Sequence, residues 1–257
     1  MRRHEADPLG QRSFTISARH NGPPRSANGG WASGLVAEAA LSLSGAVDTN
    51  VPVRVRLMQP PPLEEQITVA AADGRVTATA RNAAAPHEPV TIATAELVPG
   101  DDLTPLPAVT VDEAAAAARR FDGGGHPFPT CYVCGPGRSD QDGMRLFPGP
   151  CLDDDGQPTP HHVAAPLVPT RAHAEAGSVA VWAALDCPGA WASGVTGQPM
   201  VLGTITARVE RALTAGEPHV VTAEALGREG RKHYAATTVR TGDGALVGTA
   251  RQIWIAI

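Results

Sequence analysis

The feature that most constrains this chain is an order of elements that occurs twice. Each half contains an apolar segment of helical length, followed by four segments in which apolar and polar residues alternate. The helices are predicted over Trp31 to about Ser44 and over 178–192. The strands that follow them are VPVRVRL, EQITVAAA, RVTATARNA and PVTIATAEL in the first half, and VLGTITARVERAL, EPHVVTAEALGRE, KHYAATTVRT and ALVGTARQIWIAI in the second. A short strand precedes each helix, at 14–17 and in HHVAAPL.

Asp-Gly pairs, a strong hairpin signal, support the strand assignment in both halves. They occur in ADGR at 72–75 and in TGDGA at 241–245. A helix that buries one face against an antiparallel sheet is an α+β layout. Between the two units lies a Pro- and Gly-rich stretch with one predicted helix, from about Asp112 to Arg120, capped by Thr110 or Asp112. We therefore predict an N-terminal unit over 1–100, a linker over 101–128 and a C-terminal unit over 129–257.

Composition excludes several classes of function. Hydrophobic residues make up 42% of the 257 residues, which is enough for a packed core. The formal net charge of -5 argues against a nucleic-acid partner. No apolar leader or membrane span is recognisable, so we expect a cytoplasmic protein without a membrane partner. The four cysteines are expected to be reduced thiols or metal ligands.

One carboxylate stands out in SVAVWAALDCPGAWA, the second predicted helix. Asp186 follows the apolar residues Val181, Trp182 and Leu185, which recur at helical spacing. A carboxylate beside a buried stripe must be hydrogen-bonded, ionised in a wet cleft or functional, because burying it unpaired is costly. Asp186 is therefore the main candidate for a catalytic group.

Several segments together resemble the acyl-CoA thioesterases with hotdog domains, over most of the chain. NGGWASGLVAEAAL resembles the helix start of the type II, tandem-hotdog enzymes, with Gly29, Gly30 and Gly34 in matching places. CYVCGPGRSDQDGMRLF is similar to the opening of single-hotdog thioesterases of the phenylacetate-pathway type. VWAALDCPGAWA resembles the central helix of both groups. The resemblance implies an α+β fold of the tandem (double) hotdog type, in which each half has a long helix on a curved antiparallel sheet.

The same resemblance implies the reaction and its residues. Asp186 matches the position of the family's catalytic carboxylate, which would activate water for hydrolysis of an acyl-CoA or other acyl thioester. GDGALVGTARQ places Gln252 on the active-site glutamine of the type II enzymes, and LGTITARV offers Thr204, with Thr206 as second choice, for their threonine. No cofactor is implied, and a monomer or a homodimer is expected. The oxyanion donors are expected near 176–179, where Gly177-Ser178-Val179 stands in place of the family's His-Gly-Gly.

Three alternatives concern the reaction. Glu38 of the first helix is a second candidate acid, although a surface position is the simpler interpretation. A hotdog hydratase or dehydratase would pair Asp186 with a histidine, for which His173 and His233 are candidates. A non-catalytic acyl-thioester binding protein is the third alternative, because the Gly-Gly is missing from the second helix.

The cysteines and basic residues leave further interpretations open. Cys131-x-x-Cys134-Gly has the spacing of a zinc knuckle, although we expect no metal among the site residues. Cys187 is expected to be a poor nucleophile, because a neighbouring carboxylate disfavours its thiolate. Other possible zinc ligands are Cys151, His126, His161 and His162, and a possible site for the phosphates of coenzyme A consists of Arg228, Arg231 and Lys232.

Overall fold

The computed structural model describes residues 10–46, 48–72, 75–81, 88–139 and 142–257. The first half contains β1 (Gln11–Thr15), α1 (Gly29–Ser44), β2 (Val53–Leu57), β3 (Gln66–Ala72), β4 (Arg75–Ala80) and β5 (Val90–Leu97). After α2 (Val111–Ala118) come β6 (Gly149–Leu152), β7 (Pro158–Leu167), α3 (Arg171–Glu175) and α4 (Ser178–Ala192). The chain ends with β8 (Met200–Val209), β9 (His219–Glu229), β10 (Lys232–Thr241) and β11 (Leu246–Ala256).

All strands of the described residues join one antiparallel sheet of 11 strands, in the order β1-β3-β4-β5-β2-β8-β11-β10-β9-β7-β6. The strands of the first half are contiguous in this order, and so are those of the second. The two groups meet where β2 pairs with β8, from Val53 opposite Ala207 to Arg56 opposite Thr204. The sheet is therefore continuous across the two halves of the chain.

The two long helices pack against each other and on one face of this sheet. Alternation along the central strands determines which residues meet them: Val53, Val55, Ile205 and Ala207 are buried, each 1% exposed or less. Two glycines of α1 permit the close approach to α4. A Cβ on Gly34 would lie 2.9 Å from Trp182 Cβ, and one on Gly30 would lie 2.5 Å from the Trp182 carbonyl oxygen. The core therefore sits between the helix pair and the sheet.

The element order predicted from the sequence agrees with this structure. The predicted span 178–192 matches α4, and α1 begins two residues earlier than predicted. Thr110 caps α2, which ends at Ala118. The turn at 241–245 closes a hairpin through a hydrogen bond from Thr241 N to the Ala245 oxygen. In the predicted turn at 72–75, residues 73 and 74 lie outside the described residues, although Ala72 pairs with Arg75.

The sequence analysis missed three short elements of the described residues, namely β6, α3 and the 3-10 helix Ala18–His20. Their patterns span only 3 to 5 residues, too short for a periodicity to show. Within the described ranges, no helix combines the length and apolarity needed to cross a membrane.

Candidate active site

A cavity of about 470 Å³ lies where the N-terminus of α1 meets the second half of α4. Its walls are mostly apolar and include Trp191, Leu202 and Trp254, together with Met58, Pro60 and Pro61 from the segment after β2. Its polar lining includes Asn28, Asp186, His126 and three cysteines, together with Ser26 and Gln59. A concave, apolar pocket with a few convergent polar groups is the usual form of a small-molecule site.

Asp186 lies in the wall of this cavity and is 2% exposed. Its Oδ2 accepts hydrogen bonds from Asn28 Nδ2, at 2.8 Å, and from the backbone N of Gly30, at 2.9 Å. Its Oδ1 is buried and has no hydrogen-bond partner among the described residues. One oxygen of the carboxylate is thus fixed by two donors, and the other is buried without a hydrogen-bond partner among the described residues.

The local sequence of α1 explains how the two donors reach Asp186. Asn28 is the N-cap of α1: its Oδ1 accepts from Trp31 N at 2.8 Å, which turns its amide nitrogen toward Asp186. Gly30 N lies in the first turn, where backbone N–H groups lack partners within the helix. A Cβ on Gly30 would lie 2.5 Å from Asp186 Cβ. The Asn-Gly-Gly segment of the first half thus supplies the hydrogen-bond donors to the carboxylate of the second half.

Burial is the main cause that raises the pKa of Asp186 to about 7. The neighbouring Cys131 raises it further, whereas the hydrogen bonds from Gly30 and Asn28 oppose the shift by stabilising the carboxylate. A carboxyl group in this range can accept a proton and release it again near neutral pH, as a general base requires.

Gln252, on β11, faces α4 and is bonded to its backbone. Its Nε2 donates to the carbonyl oxygens of Leu185 and Asp186, the latter at 3.0 Å, and its Oε1 accepts from Thr237 Oγ1 at 3.1 Å. Gln252 therefore holds the backbone that carries Asp186, and it does not contact the carboxylate itself.

Thr204 lies on the face of the sheet that points away from the helices. Its neighbour Ile205 is fully buried toward the helix pair, so the alternation of β8 turns Thr204 and Thr206 outward. There they line a groove of about 770 Å³ with Arg54, Arg56, Arg251 and Lys232. The structure does not bring Thr204 to the cavity of Asp186.

The N-terminus of α4 lies beside Glu38, away from Asp186. Ser178 Oγ donates to Glu38 Oε1 at 2.7 Å. Burial raises the pKa of Glu38, and the Ser178 bond and Arg12 oppose that shift. The helix N-terminus that meets Asp186 is that of α1, not the segment 176–179 considered above.

Three cysteines from two distant segments meet in the cavity wall. The Sγ atoms of Cys131, Cys134 and Cys187 lie within 4.8 Å of one another, and all three side chains are buried. Hydrogen bonds from the other two thiols hold the pKa of Cys131 well below its usual range. Burial and then Cys131 raise the pKa of Cys134, whereas the hydrogen bonds with Cys131 and Cys134, followed by burial, raise the pKa of Cys187. The sequence analysis paired the first two cysteines but did not place Cys187 with them, because 53 residues separate it from Cys134.

The other candidates lie elsewhere. Cys151 is buried beside α2. His161 Nδ1 is 3.3 Å from the Ala192 oxygen, and His173 caps α3 through its Thr170 contacts. Residues outside the cavity lining also include His162, His233, Arg228 and Arg231. The histidine in the cavity is His126, whose Nε2 lies 3.1 Å from Cys134 Sγ.

Comparisons with known proteins identify the fold. A conserved protein of unknown function with a hot dog fold from Alicyclobacillus acidocaldarius is similar at a TM-score of 0.63 and 17% identity, over 99% of this chain and 96% of that chain. The tesB protein of Mycobacterium avium subs paratuberculosis gives 0.62 and 13%, over 99% and 96%. The dehydratase domain of PpsC from Mycobacterium tuberculosis, in complex with C12:1-CoA, gives 0.59 and 12%, over 99% and 97%.

At these identities the shared property is the fold, and this protein has the hotdog fold. No protein-family model and no curated protein matches the chain.

Proposed function

We propose that this protein hydrolyses acyl thioesters, such as acyl-CoA, with water activated by Asp186. The observation that carries the proposal is the geometry of this carboxylate: one oxygen is fixed by two donors, and the other is without a partner in the wall of an apolar cavity. A water molecule on Oδ1 would lie between a base and the space that can take an acyl chain. The tesB and PpsC similarities support acyl thioesters as the substrate class.

We further propose that the chain is a tandem hotdog with halves over 1–100 and 129–257, joined by the linker over 101–128. The contiguous strands of each half and the pairing of β2 with β8 support this division. In this arrangement Asp186 from the second half and the N-terminus of α1 from the first half form one site.

In the proposed mechanism, Asp186 takes a proton from water as the water attacks the thioester carbonyl carbon. The carbonyl oxygen then becomes negative and needs hydrogen-bond donors. Trp254 lines the cavity, and its indole Nε1 is a buried donor without a partner in the described part of the chain. We assign this N–H to the oxyanion, with the positive end of α1 at Gly29 beside it. Collapse of the intermediate breaks the carbon–sulfur bond, and the thiolate leaves with the proton from Asp186.

Gln252 and Thr204 have different parts in this proposal. Gln252 is a positioning residue, because it acts through the backbone on either side of Asp186. Thr204 has no direct part, because it faces the outer groove.

The test is thiol release from short, medium, long-chain and aryl acyl-CoAs by the wild type and by Asp186→Asn. The asparagine keeps an oxygen that can accept from Gly30 N, so the fold should be retained. Loss of a general base should lower turnover by roughly 10²–10⁴-fold. Thr204→Val is the matched control, on the same central region of the sheet but on its outer face, and should retain wild-type turnover.

Unchanged hydrolysis in Asp186→Asn would remove the carboxylate from the mechanism. A second candidate, hydration of an enoyl thioester, is favoured by His126, which lines the same cavity as Asp186. A chain-length-matched enoyl-CoA in the panel separates the two reactions: consumption of the double bond without thiol release would identify a hydratase. Tight acyl-CoA binding without either reaction would identify a binding protein.

A further inference from the structure

The three cysteines in the cavity wall are spaced as the ligands of one metal ion. Cys131 Sγ lies 3.7 Å from Cys187 Sγ, and Cys134 Sγ lies within 4.8 Å of both. In a tetrahedral site with zinc–sulfur bonds of 2.3 Å, two sulfur ligands are about 3.8 Å apart. Only small side-chain movements are therefore needed to place all three sulfurs at bonding distance from one ion.

The loop that carries Cys131 and Cys134 is held in place by backbone bonds. Tyr132 N donates to the Asn21 oxygen at 2.7 Å, and Tyr132 O accepts from Met144 N at 2.8 Å. Gly135 N donates to the Cys131 oxygen at 2.9 Å. A Cβ on Gly135 would lie 2.5 Å from that same oxygen, so this turn requires glycine. The loop is thus rigid before any ion binds, which lowers the entropic cost of binding.

Cys187 comes from α4, and hydrogen-bond donors surround the sulfur cluster. Asn28 Nδ2 lies 3.6 Å from Cys187 Sγ and 3.9 Å from Cys131 Sγ. His126 Nδ1 accepts from Phe128 N at 2.9 Å, so the neutral ring carries its proton on Nε2 and donates to Cys134 Sγ. Donors to sulfur favour thiolates and orient metal ligands.

We propose that Cys131, Cys134 and Cys187 bind one zinc ion, with His126 hydrogen-bonded to the Cys134 sulfur and a fourth ligand taken from the cavity. Binding replaces three thiol protons with the ion, and these protons go to solvent. Three protein ligands and an open position toward a pocket are typical of catalytic rather than structural zinc sites. The proposal does not depend on thioester hydrolysis, because it concerns metal binding and is tested by metal content.

The experiment measures zinc per chain by mass spectrometry after the reduced protein is incubated with zinc and then desalted. We expect about one zinc per chain in the wild type and little in Cys134→Ala and Cys187→Ala, because two sulfurs do not complete a site. Cys151→Ala is the matched control, since Cys151 is a buried cysteine outside the cluster, and it should retain about one zinc. Far-UV circular dichroism checks that each variant folds.

His126→Phe tests the assignment of the histidine, because phenylalanine keeps an aromatic ring but has no nitrogen. As the loss of a donor to a ligand, it should weaken zinc binding roughly 10–100-fold in competition with a chelator while leaving the stoichiometry unchanged. Cobalt in place of zinc should give sulfur-to-cobalt charge-transfer absorption in the wild type and in His126→Phe.

Three results would overturn the proposal. The first is a wild type that retains no zinc and shows four titratable thiols after incubation. The second is a disulfide between Cys131 and Cys187 in place of a bound ion. The third is a His126→Phe variant that loses zinc as completely as the cysteine variants, which would make His126 a ligand and contradict the three-sulfur site.

Discussion

The two ends of the helix pair offer a comparison between two carboxylates in matching positions. Gly30 and Ser178 are 148 residues apart, and so are Glu38 and Asp186. The N-terminus of α1 contacts Asp186 through Gly30, and the N-terminus of α4 contacts Glu38 through Ser178. The same crossing of two helices therefore places a carboxylate against a helix N-terminus at both ends.

The donors to the two carboxylates differ. Asp186 receives a backbone N–H and the amide of the N-cap Asn28. Glu38 receives one hydroxyl, and the residue that matches Asn28 in the second half is Ala176, which has no polar side chain. Asp186 is therefore held by two hydrogen-bond donors on one oxygen, whereas the hydrogen bond that the described residues give Glu38 comes from the Ser178 hydroxyl.

The surroundings differ as well. Asp186 is 2% exposed beside the apolar cavity, and its pKa is raised to about 7. Glu38 is half-buried at a cavity of about 420 Å³, whose lining includes the polar residues Thr49, Asn50, Glu210 and Arg211. The helix crossing therefore determines where a carboxylate lies, whereas the cap residue and the apolar wall determine its hydrogen bonds and its pKa.

Among changes around the two carboxylates, the largest effect is expected from Gly30→Ala, which alters the contact between the helices at the Asp186 end. The new Cβ would lie 2.5 Å from both Asp186 Cβ and the Trp182 oxygen, so α1 and α4 must separate. We expect unfolding free energy to fall by about 1–3 kcal/mol. We expect turnover to fall by roughly 100-fold, because the carboxylate is displaced from its donors and the cavity.

Ser178→Ala is the matched control at the other end. It removes the hydrogen bond to Glu38 but adds no atom to the interface, so turnover should remain close to that of the wild type. Urea denaturation and thiol release measure both variants. Equal losses of turnover in the two variants would mean that the two ends are functionally equivalent, contrary to the comparison.

A smaller effect is expected from Asn28→Ala, which makes the first end resemble the second. The substitution removes both the cap of α1 and a donor to Asp186. We expect a stability loss of about 1 kcal/mol from the cap. We expect a roughly tenfold loss of turnover, because a hydrogen bond to a charged group is lost.

Asn28→Ser separates the two roles of this residue. Serine is as good an N-cap as asparagine, but its side chain is too short to cap α1 and donate to Asp186 at the same time. We expect this variant to regain most of the stability but not the turnover, as measured by thermal unfolding and thiol release. Turnover restored together with stability would assign Asn28 a capping role alone.

Local sequence patterns predict some features of the two ends and not others. The span of α4 and the position of Asp186 could be predicted because both depend on local patterns: an apolar run of helical length and a carboxylate beside it. The outward direction of Thr204 was missed because this residue was chosen by analogy with a family motif, which does not fix which face of the strand meets the helices. The alternation of Thr204 and Thr206 with the apolar Ile205 was the local signal for this direction.

Local sequence patterns could not predict the contacts of Asp186, for a different reason. Asn28 and Gly30 are more than 150 residues away from it and contact it only because the two halves share one sheet. The Asn-Gly-Gly segment was recognised as a helix start, but its partner was not. Cys187 likewise joins Cys131 and Cys134 only through the packing of α4 against the loop. Side chains brought together by tertiary structure leave no periodicity in the sequence.

The smallest effect on turnover is expected from Glu38→Gln, which removes the charge at the second end. The glutamine oxygen can still accept from Ser178 Oγ, and Glu38 does not line the cavity of Asp186, so turnover should be unchanged.

The same variant tests the pH dependence of stability. The pKa of Glu38 is raised from 4.5, mainly by burial, whereas Ser178 and Arg12 oppose this shift. A raised pKa in the folded state means that the protonated form stabilises the fold below about pH 4.5, and that this contribution is lost as pH rises through the folded-state pKa. The wild type should therefore lose stability relative to Glu38→Gln between pH 4 and pH 8, as measured by urea denaturation across that range. A constant difference between the two proteins over this range would show that the carboxylate at this end is solvated, and the two ends would then differ in burial even more than the structure indicates.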